Sequence, residues 1–336
     1  MKKTLSLILA LILCLGACVS FTACGGGNGI KVAPNKSEYV VGICQLITHD
    51  SLDAATKGFR DALTEALEAE GRKVVFKEQN GQGEPNTCTT IVNSFVSEGV
   101  DLIMGNATAA LQAAYNATQT IPVLGTSITE YGVALSLENF SGTVGNNVSG
   151  TSDLAPLDEQ AQMMLDVLGL EAGATVGILY CSAEPNSAYQ YDVVKAYLEG
   201  KNITVKEYKF SESTELQGML TNASAACDAI YVPTDNTVAS NDEMVRNICG
   251  PAKVPVFTGY ESDVCFATLA ISYYNIGAET GKMAAEILLG KADITKMAIR
   301  YDAAPVKKYN KEICEELGID TAALEADGYV ARTSAE

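Results

Sequence analysis

The stretch VVGICQLITHDSLDAATKGFRDALTEALEAE (40–70) decides the fold. Its first part, 40–46, is a short apolar run that is typical of a buried strand. From Leu52 onward, apolar side chains recur at helical spacing and form one stripe: Leu52, Ala55, Phe59, Ala62, Leu63, Ala66 and Leu67. Asp50 or Ser51 is suited to cap the start of this helix, and Gly71 is suited to end it. A strand followed by such a helix is the repeating unit of a parallel sheet.

The same alternation occurs twice along the chain. The first series continues with KVVFKEQ (73–79), a helix over 87–98, DLIMGN (101–106), a helix over 109–118 and IPVLGTS (121–127). A loop-rich passage, 128–155, separates it from the second series. That series comprises ATVGILYC (174–181), a helix over 187–198, ITVKEYKF (203–210), a helix over 212–226, DAIYVPT (228–234), a helix over 236–248 and VPVFTGY (254–260). The pattern predicts an α/β fold with parallel sheets, helices on both faces and two similar lobes.

The residues after 260 indicate how the lobes connect. They contain a strand-like ATLAIS (267–272), a helix over 276–289 and a strand-like MAIRY (297–301). A tail of this size is explained if the chain returns to the first lobe and then to the second. We therefore expect three crossings, with lobe 1 formed by 38–150 plus 262–292 and lobe 2 by 151–261 plus 293–330. A chain of 336 residues exceeds what one hydrophobic core usually organises, which supports this division.

The N-terminus reads as an export signal. Lys2 and Lys3 precede an apolar run that is too short to span a bilayer about 30 Å thick. The segment FTAC (21–24) resembles a bacterial lipobox, and LGAC (15–18) fits that pattern as well. We prefer Cys24 as the lipidated residue because the glycine-rich GGGNG (25–29) follows it directly. The expectation is a signal peptide over 1–23, a flexible tether over 24–37 and a lipid anchor at the outer face of the cytoplasmic membrane.

Composition and motifs exclude several classes of function. The formal net charge of −18 argues against nucleic-acid binding, because such a surface repels phosphate backbones. The cysteines outside the leader show no CxxC spacing, so no disulfide framework is expected. One histidine, His49, leaves no basis for a His-based metal site. GxSxG, GxxxxGK[ST] and HExxH motifs are absent from the sequence, and we expect neither an enzyme nor a bound cofactor.

Polar residues cluster where the predicted strands end. In open parallel sheets, ligands bind beyond the carboxyl ends of the strands, where loops lead into helix N-termini. The candidates there are Gln45, His49, Thr108 and Ser127 in the first series, and Asn186, Ser187, Asp235, Asn236 and Glu261 in the second. Two facing lobes would enclose a small polar ligand between these side chains. Asp235, with Glu261, is expected to accept a cationic group such as an ammonium. The alternative for each such residue is an ordinary helix cap, which applies to Asp235 as well.

Three segments carry a family resemblance: VGICQLITHDSLDAATKGFRDAL (41–63), AIYVPTDNTVAS (229–240) and YYNIGAETGKMAAEILLGK (273–291). The chain resembles the substrate-binding lipoproteins of ABC importers, specifically the family associated with tryptophan and tyrosine uptake. The match runs from about Val40 to Gly318. It implies a type I periplasmic-binding-protein fold, in which two Rossmann-like lobes hinge about three crossing strands.

The resemblance also implies a set of ligand-binding residues. Carried over position by position, they are Gln45, His49, Thr108, Ser127, Ser152, Asp153, Asn186, Ser187, Asp235, Asn236 and Glu261. The chain departs from the family pattern in two places near the implied ligand. ITEYGVALSLEN (128–139) replaces the usual Asp-Pro turn, and CSAEPNS (181–187) replaces the usual Asn-Pro start while keeping Asn186 and Ser187.

These observations lead to one main expectation of function and two rivals. The main expectation is capture of a small ligand outside the cell, with an aromatic amino acid as candidate, and its delivery by a monomer to an ABC permease. One rival is a ligand-sensing receptor lipoprotein that reports to a membrane kinase. The other is a hydrolase that uses carboxylates of the cleft.

Overall fold

The computed structural model describes residues 29–301 and 305–332. Its strands form one parallel sheet in each of two lobes, with helices on both faces, and a smaller mixed sheet. The predicted α/β class with parallel sheets is confirmed. The signal peptide over 1–23 and the lipidation of Cys24 lie outside the described residues. Within the described ranges, no helix combines the length and the apolar character needed to cross a bilayer.

Lobe 1 is built on a six-stranded sheet with the order β11-β5-β4-β3-β1-β2. Its strands are β1 (Glu38–Gln45), β2 (Lys73–Asn80), β3 (Leu102–Asn106), β4 (Val123–Ile128), β5 (Val148–Ser152) and β11 (Arg300–Tyr301). Its helices are α1 (Asp50–Glu68), α2 (Pro85–Glu98), α3 (Thr108–Ala117), α4 (Tyr131–Ala134) and, from later in the chain, α10 (Tyr273–Leu288). All neighbouring strands in this sheet are parallel.

Lobe 2 combines a parallel sheet with a smaller mixed sheet. The parallel sheet has the order β7-β6-β8-β9 and contains β6 (Thr175–Cys181), β7 (Thr204–Phe210), β8 (Ala229–Val232) and β9 (Val256–Thr258). The smaller sheet contains β10 (Ala267–Ala270), β12 (Val306–Tyr309) and β13 (Val330–Ala331), and β10 runs antiparallel to β12. The helices are α5 (Leu157–Leu168), α6 (Pro185–Gly200), α7 (Ser213–Ser224), α8 (Asn236–Ala239), α9 (Asp242–Ala252), α11 (Lys311–Leu317) and α12 (Thr321–Ala326).

The apolar run of β1 follows from its place inside the sheet. β1 lies between β2 and β3, so both of its faces are covered by helices. Val41 and Ile43 pack in the cluster with α1 and α10, whereas Cys44 and Leu46 pack in the cluster with α2 and α3. A strand buried on both faces carries apolar residues at successive positions, as 40–46 does.

Helix α10 closes lobe 1 by packing against α1 at very short range. A Cβ atom on Gly277 would lie 2.0 Å from the carbonyl oxygen of Ala55, and one on Gly58 would lie 2.1 Å from the carbonyl oxygen of Tyr274. Both glycines are therefore required for the approach of the two backbones. This contact fixes where α10 begins, and with it the position of Tyr273 at the cleft.

The chain crosses between the lobes three times, but the crossings lie at other residues than predicted. β5 extends lobe 1 to Ser152, two residues beyond the expected limit. Residues 266–270 belong to lobe 2, because β10 pairs with β12 there, although 262–292 was assigned to lobe 1. Residues 294–301 belong to lobe 1, because β11 pairs with β5, although 293–330 was assigned to lobe 2. Short strands whose partners lie far away in sequence carried no local signal of their lobe.

Three further expectations are corrected by the structure. Strand β5 lies inside the passage 128–155 that was predicted to be loop, because its hydroxyl-rich sequence VSGTS lacks an apolar run. The single helix expected over 236–248 is two helices, α8 and α9. The expected tether over 24–37 is packed onto lobe 1 from Ile30, and the Lys31 N–H donates to the Thr120 carbonyl at 2.7 Å.

Candidate functional site

A narrow cleft separates the carboxyl ends of the strands in the two lobes. Lobe 1 contributes His49, Ser51, Leu52, Ser127 and Thr129 to its lining. Lobe 2 contributes Asn186, Thr234, Asp235, Asn236, Ala239 and Tyr260, and the crossing segments contribute Asp153 and Tyr273. Side chains from both lobes meet across the cleft, since Nε2 of His49 lies 3.2 Å from Oδ1 of Asn236. The structure is therefore in a closed arrangement.

The cleft brings together six of the eleven predicted site residues: His49, Ser127, Asp153, Asn186, Asp235 and Asn236. Thr234, Tyr260 and Tyr273 lie there too. Contact of any of these residues with a ligand stays a prediction.

The remaining five predicted residues do not line the cleft, and their contacts explain why. Gln45 binds the start of α1, with its Nε2 donating to Oδ1 of Asp53 at 2.5 Å and its Oε1 accepting from the Thr56 hydroxyl at 2.6 Å. Thr108 is buried at the first turn of α3. Glu261 lines an adjoining opening between the lobes that shares His49 and Tyr260 with the cleft, and its carboxylate pairs with two cations, as described below.

Ser152, Ser187 and Glu261 hold the backbone around the cleft. The Ser152 hydroxyl donates to the Thr129 carbonyl at 2.9 Å, and the Ser187 hydroxyl donates to the Thr234 carbonyl at 3.4 Å. The Glu261 carboxylate forms ion pairs with Lys308 at 2.5 Å and with Arg332 at 3.1 Å. These contacts support neighbouring segments of the chain.

Asp153 carries the carboxylate that is best placed to meet a ligand. It lies at the first crossing, directly after β5, and is buried. Its Oδ2 accepts a hydrogen bond of 2.9 Å from the Tyr273 hydroxyl, while its buried Oδ1 has no hydrogen-bond partner among the described residues. Burial raises the pKa of Asp153 to about 6. An unpaired, buried carboxylate oxygen of this kind attracts a hydrogen-bond donor, and most strongly a charged one.

Asp235 is buried as well, but both of its oxygens are occupied. Oδ1 accepts from the Val238 N–H at 2.9 Å and so caps α8, while Oδ2 accepts from the Cys181 N–H at 2.7 Å. Burial and the negative charge of Glu184 raise the pKa of Asp235. The capping role that the sequence left open is thus present in the structure. The expected contact with an ammonium is untested, and Asp153 has the freer oxygen.

Two other buried polar atoms of the cleft are unpartnered within the described part of the chain: Oγ of Ser127 and Oδ1 of Asn186. Ser127 also has a backbone φ of 57°, which is uncommon for a residue other than glycine. Strained backbone of this type is found most often at binding and catalytic sites. Together with Asp153, these atoms offer a ligand two acceptors and one hydroxyl.

Sequence reasoning missed Glu184, although it organises one wall of the cleft. Its carboxylate accepts hydrogen bonds from Asn236, Thr237 and Asn186. The available signal was an acidic residue directly before Pro185, inside the segment 181–187 that departs from the family pattern. Nothing local indicated that this carboxylate would reach the start of α8, 52 residues away in the sequence.

The chemistry of the cleft suits binding rather than reaction. The one histidine hydrogen-bonds the Asn236 amide and not a serine or cysteine. Across 29–301 and 305–332, no group of three or more His, Cys, Asp and Glu side chains is arranged to hold a metal ion. Leu52, Tyr260 and Tyr273 add apolar and aromatic surface beside the polar atoms.

Comparisons with known proteins agree with this geometry. Residues 40–324 match the family model described as ABC transporter substrate binding protein. A tyrosine-binding protein of Clostridioides difficile (strain R20291) is 34% identical over 300 residues, which are 87% of this chain and 85% of that protein.

Solved structures give the same result. A domain from Streptococcus pneumoniae in complex with L-Trp is 30% identical, with a TM-score of 0.79 over 87% of this chain and 99% of that one. A ligand-free, open substrate-binding protein with adhesive properties from Clostridium difficile is 31% identical, with a TM-score of 0.64 over 88% and 100%. This fold is thus more similar to the ligand-bound relative than to the open one. The chain belongs to the family of ABC transporter substrate-binding proteins, and its role is to bind a substrate and not to transform one.

Proposed function

We propose that this protein binds an aromatic L-amino acid, with tyrosine or tryptophan as the first candidates, in the cleft between its lobes. The observation that carries the proposal is the buried Oδ1 of Asp153, which has no partner in the described part of the chain and suits an α-ammonium group. The Oδ1 of Asn186 is a second acceptor, and the Ser127 hydroxyl is a donor for the α-carboxylate.

The aromatic part of the ligand has matching surface in the same cleft. Tyr260 and Tyr273 line it from lobe 2 and from the start of α10. Aromatic rings that contact each other add about 0.5–1.5 kcal/mol beyond the burial of their area. The relatives named for tyrosine binding and solved with L-Trp support this ligand class.

Calorimetric titration of the soluble domain, residues 29–336, tests the ligand class. L-Tyrosine, L-tryptophan, L-leucine and D-tyrosine form the panel, and the protein is first unfolded and refolded to remove any ligand that co-purifies. We expect one of the two aromatic L-amino acids to bind at least about tenfold more tightly than L-leucine and D-tyrosine. Equal affinity for L-leucine, or no binding of the aromatic pair, would refute the proposed ligand.

We also propose that the chain is exported, lipidated at Cys24 and held at the outer face of the cytoplasmic membrane, where it hands its ligand to an ABC permease. The lipobox-like FTAC (21–24) and the glycines that follow it support this location. A monomer is sufficient for the task, because one chain supplies both walls of the cleft.

A further inference from the structure

Glu184 is an almost fully buried carboxylate that is surrounded by uncharged donors. Its Oε1 accepts from the backbone N–H of Thr237 at 2.8 Å and from the Thr237 hydroxyl at 2.8 Å. Its Oε2 accepts from the backbone N–H of Asn236 at 3.0 Å, from Nδ2 of Asn236 at 2.7 Å and from Nδ2 of Asn186 at 3.2 Å. Four of these contacts join the start of α6 to the start of α8, and the fifth lies within the first turn of α6.

The Glu184 carboxylate and the Thr234 carbonyl together decide which way the Asn186 amide points. Nδ2 of Asn186 faces Oε2 of Glu184 and also donates to the Thr234 carbonyl at 2.8 Å. A reversed amide would place its oxygen against two acceptors, which is unfavourable. Oδ1 of Asn186 is therefore the atom left in the cleft, where it is buried and has no partner among the described residues.

The same carboxylate orients Asn236 and, through it, His49. Because Nδ2 of Asn236 donates to Glu184, its Oδ1 is turned toward lobe 1 and lies 3.2 Å from Nε2 of His49. An amide oxygen can only accept, so His49 must carry its proton on Nε2. Burial lowers the pKa of His49, so the ring is neutral at pH 7. A neutral imidazole carries its single proton on either Nδ1 or Nε2, and the contact with Asn236 selects Nε2.

We propose that Glu184 is a positioning residue that makes lobe 2 present acceptors to the cleft, and that it thereby selects ligands with a primary ammonium group. The inference rests on the proposed function for its ligand and deepens it, since it names the residue behind the selectivity. With Glu184 in place, the Oδ1 atoms of Asn186 and Asp153 are both buried acceptors that require a hydrogen-bond donor from the ligand. An analogue of tyrosine without its amino group offers none at that position.

The variant Glu184→Gln tests the proposal. The glutamine NH₂ group must face one of the donors that now surround the carboxylate. Where it replaces Oε2 it can donate to a reversed Asn186 amide, whose present orientation is then held by the Thr234 carbonyl alone, so the reversed amide becomes more populated. Nδ2 of Asn186 would then enter the cleft. We expect the affinity for L-tyrosine to fall about tenfold or more, while the affinity for 3-(4-hydroxyphenyl)propanoate falls less. The ratio of the two affinities is the readout, because general damage to the cleft would weaken both ligands alike.

Glu212→Gln is the matched control. Glu212 also stands directly before a helix, but this helix is α7, and Glu212 caps it through a capping box with Glu215. It should leave both affinities unchanged, and melting curves check that both variants fold. An unchanged ratio in Glu184→Gln, with the wild-type chain binding L-tyrosine, would overturn the proposal.

A second readout separates this proposal from the proposed function, because it needs no ligand. The chain has one histidine, so long-range ¹⁵N NMR of the tag-free protein reports the His49 tautomer without ambiguity. We expect the Nε2–H form in the wild-type chain and a changed tautomer population in Glu184→Gln. If L-tyrosine fails to bind but the tautomer changes, the ligand assignment fails and the positioning role stands. An unchanged tautomer in the variant would refute the positioning role.

Discussion

Replacing Asp153 with asparagine tests the proposed ammonium contact most directly. The substitution keeps the size of the side chain, and the asparagine oxygen can still accept the hydrogen bond that Tyr273 donates to the carboxylate. It removes the negative charge that would face the ligand's ammonium. Breaking a desolvated charge pair by removing one partner costs about 2–5 kcal/mol. We therefore expect the Kd for L-tyrosine to rise by about 30-fold or more.

Asp235→Asn is the matched control for this experiment. Asp235 is equally buried, but its two oxygens accept from the N–H groups of Cys181 and Val238. Asparagine can keep the cap on α8, whereas its NH₂ group would face the Cys181 N–H. The loss should therefore appear in the free energy of unfolding, by about 1–3 kcal/mol, and much less in ligand affinity.

The pH dependence of ligand affinity provides a second test of the contact with Asp153. Burial raises the pKa of Asp153 from 3.8 to about 6 in the free protein. Below that pH the carboxyl group is protonated. It must lose this proton before it can form an ion pair with the ligand's ammonium group. Affinity for L-tyrosine should therefore fall as the pH drops from 7 to 5, and Asp153→Asn should abolish this fall. Because the folded pKa is the higher one, the contribution of Asp153 to the stability of the free protein should fall as the pH rises from about 4 to about 6.

Calorimetry on the wild-type chain and the two variants, at pH 7 and at pH 5, decides the matter. Circular dichroism melting curves confirm that each variant is folded at both pH values. If Asp153→Asn keeps wild-type affinity while Asp235→Asn loses it, the ammonium contact belongs to Asp235 and our reasoning from the unpaired oxygen is wrong. A wild-type affinity that does not vary with pH would contradict the role of Asp153 as well.

Three further outcomes are expected. Gly277→Ala forces a Cβ atom into the backbone of α1 and should lower the melting temperature by several degrees. Gly218→Ala, in open space on α7, should leave the melting temperature unchanged or raise it. Equal melting curves for the two variants would refute the close-packing argument. Glu261→Gln should leave the Kd for L-tyrosine unchanged, because its carboxylate is already paired with two cations, Lys308 and Arg332; a clear loss of affinity in calorimetry would place Glu261 among the residues that contact the ligand. Cys24→Ala should leave the chain shed or unprocessed while Cys18→Ala stays anchored, and a mature N-terminus at Cys18 in mass spectrometry would reverse this assignment.

The sequence was sufficient for the fold class because strand and helix patterns alternate locally. The buried run 40–46 and the apolar stripe of α1 each reflect the environment of their own segment. Strand β5 shows the limit of this reasoning. Its polar residues are buried in a sheet because partners from distant segments satisfy them: the Ser149 hydroxyl donates to the Met297 carbonyl at 3.1 Å, 148 residues away.

The site was predictable to the extent that sheet geometry fixes it. The rule that ligands lie beyond the carboxyl ends of strands brings Ser127, Asn186 and Asn236 to the cleft. It does not tell which atom of each side chain is free. Asp235 and Asp153 both stand after strands, and only their hydrogen bonds distinguish the occupied carboxylate from the one with an unpaired oxygen. Asp153 itself was found only through the family resemblance.

The contacts across the closed cleft explain why a ligand would be needed to hold it shut. Among the described residues, side chains of the two lobes are joined by hydrogen bonds between His49 and Asn236 at 3.2 Å and from Gln190 to Thr129 at 3.4 Å. Both are long, and bonds of this length contribute little.

Closure also carries a cost in the absence of ligand. It buries the Oδ1 atoms of Asp153 and Asn186 without a partner in the described part of the chain, and each unsatisfied group costs about 1–3 kcal/mol. A ligand with an ammonium group removes that cost in the closed state, whereas in an open state water would satisfy the same atoms. Since a ligand shifts an equilibrium only by its differential affinity for the two states, these two oxygens connect recognition of the ligand to closure of the lobes.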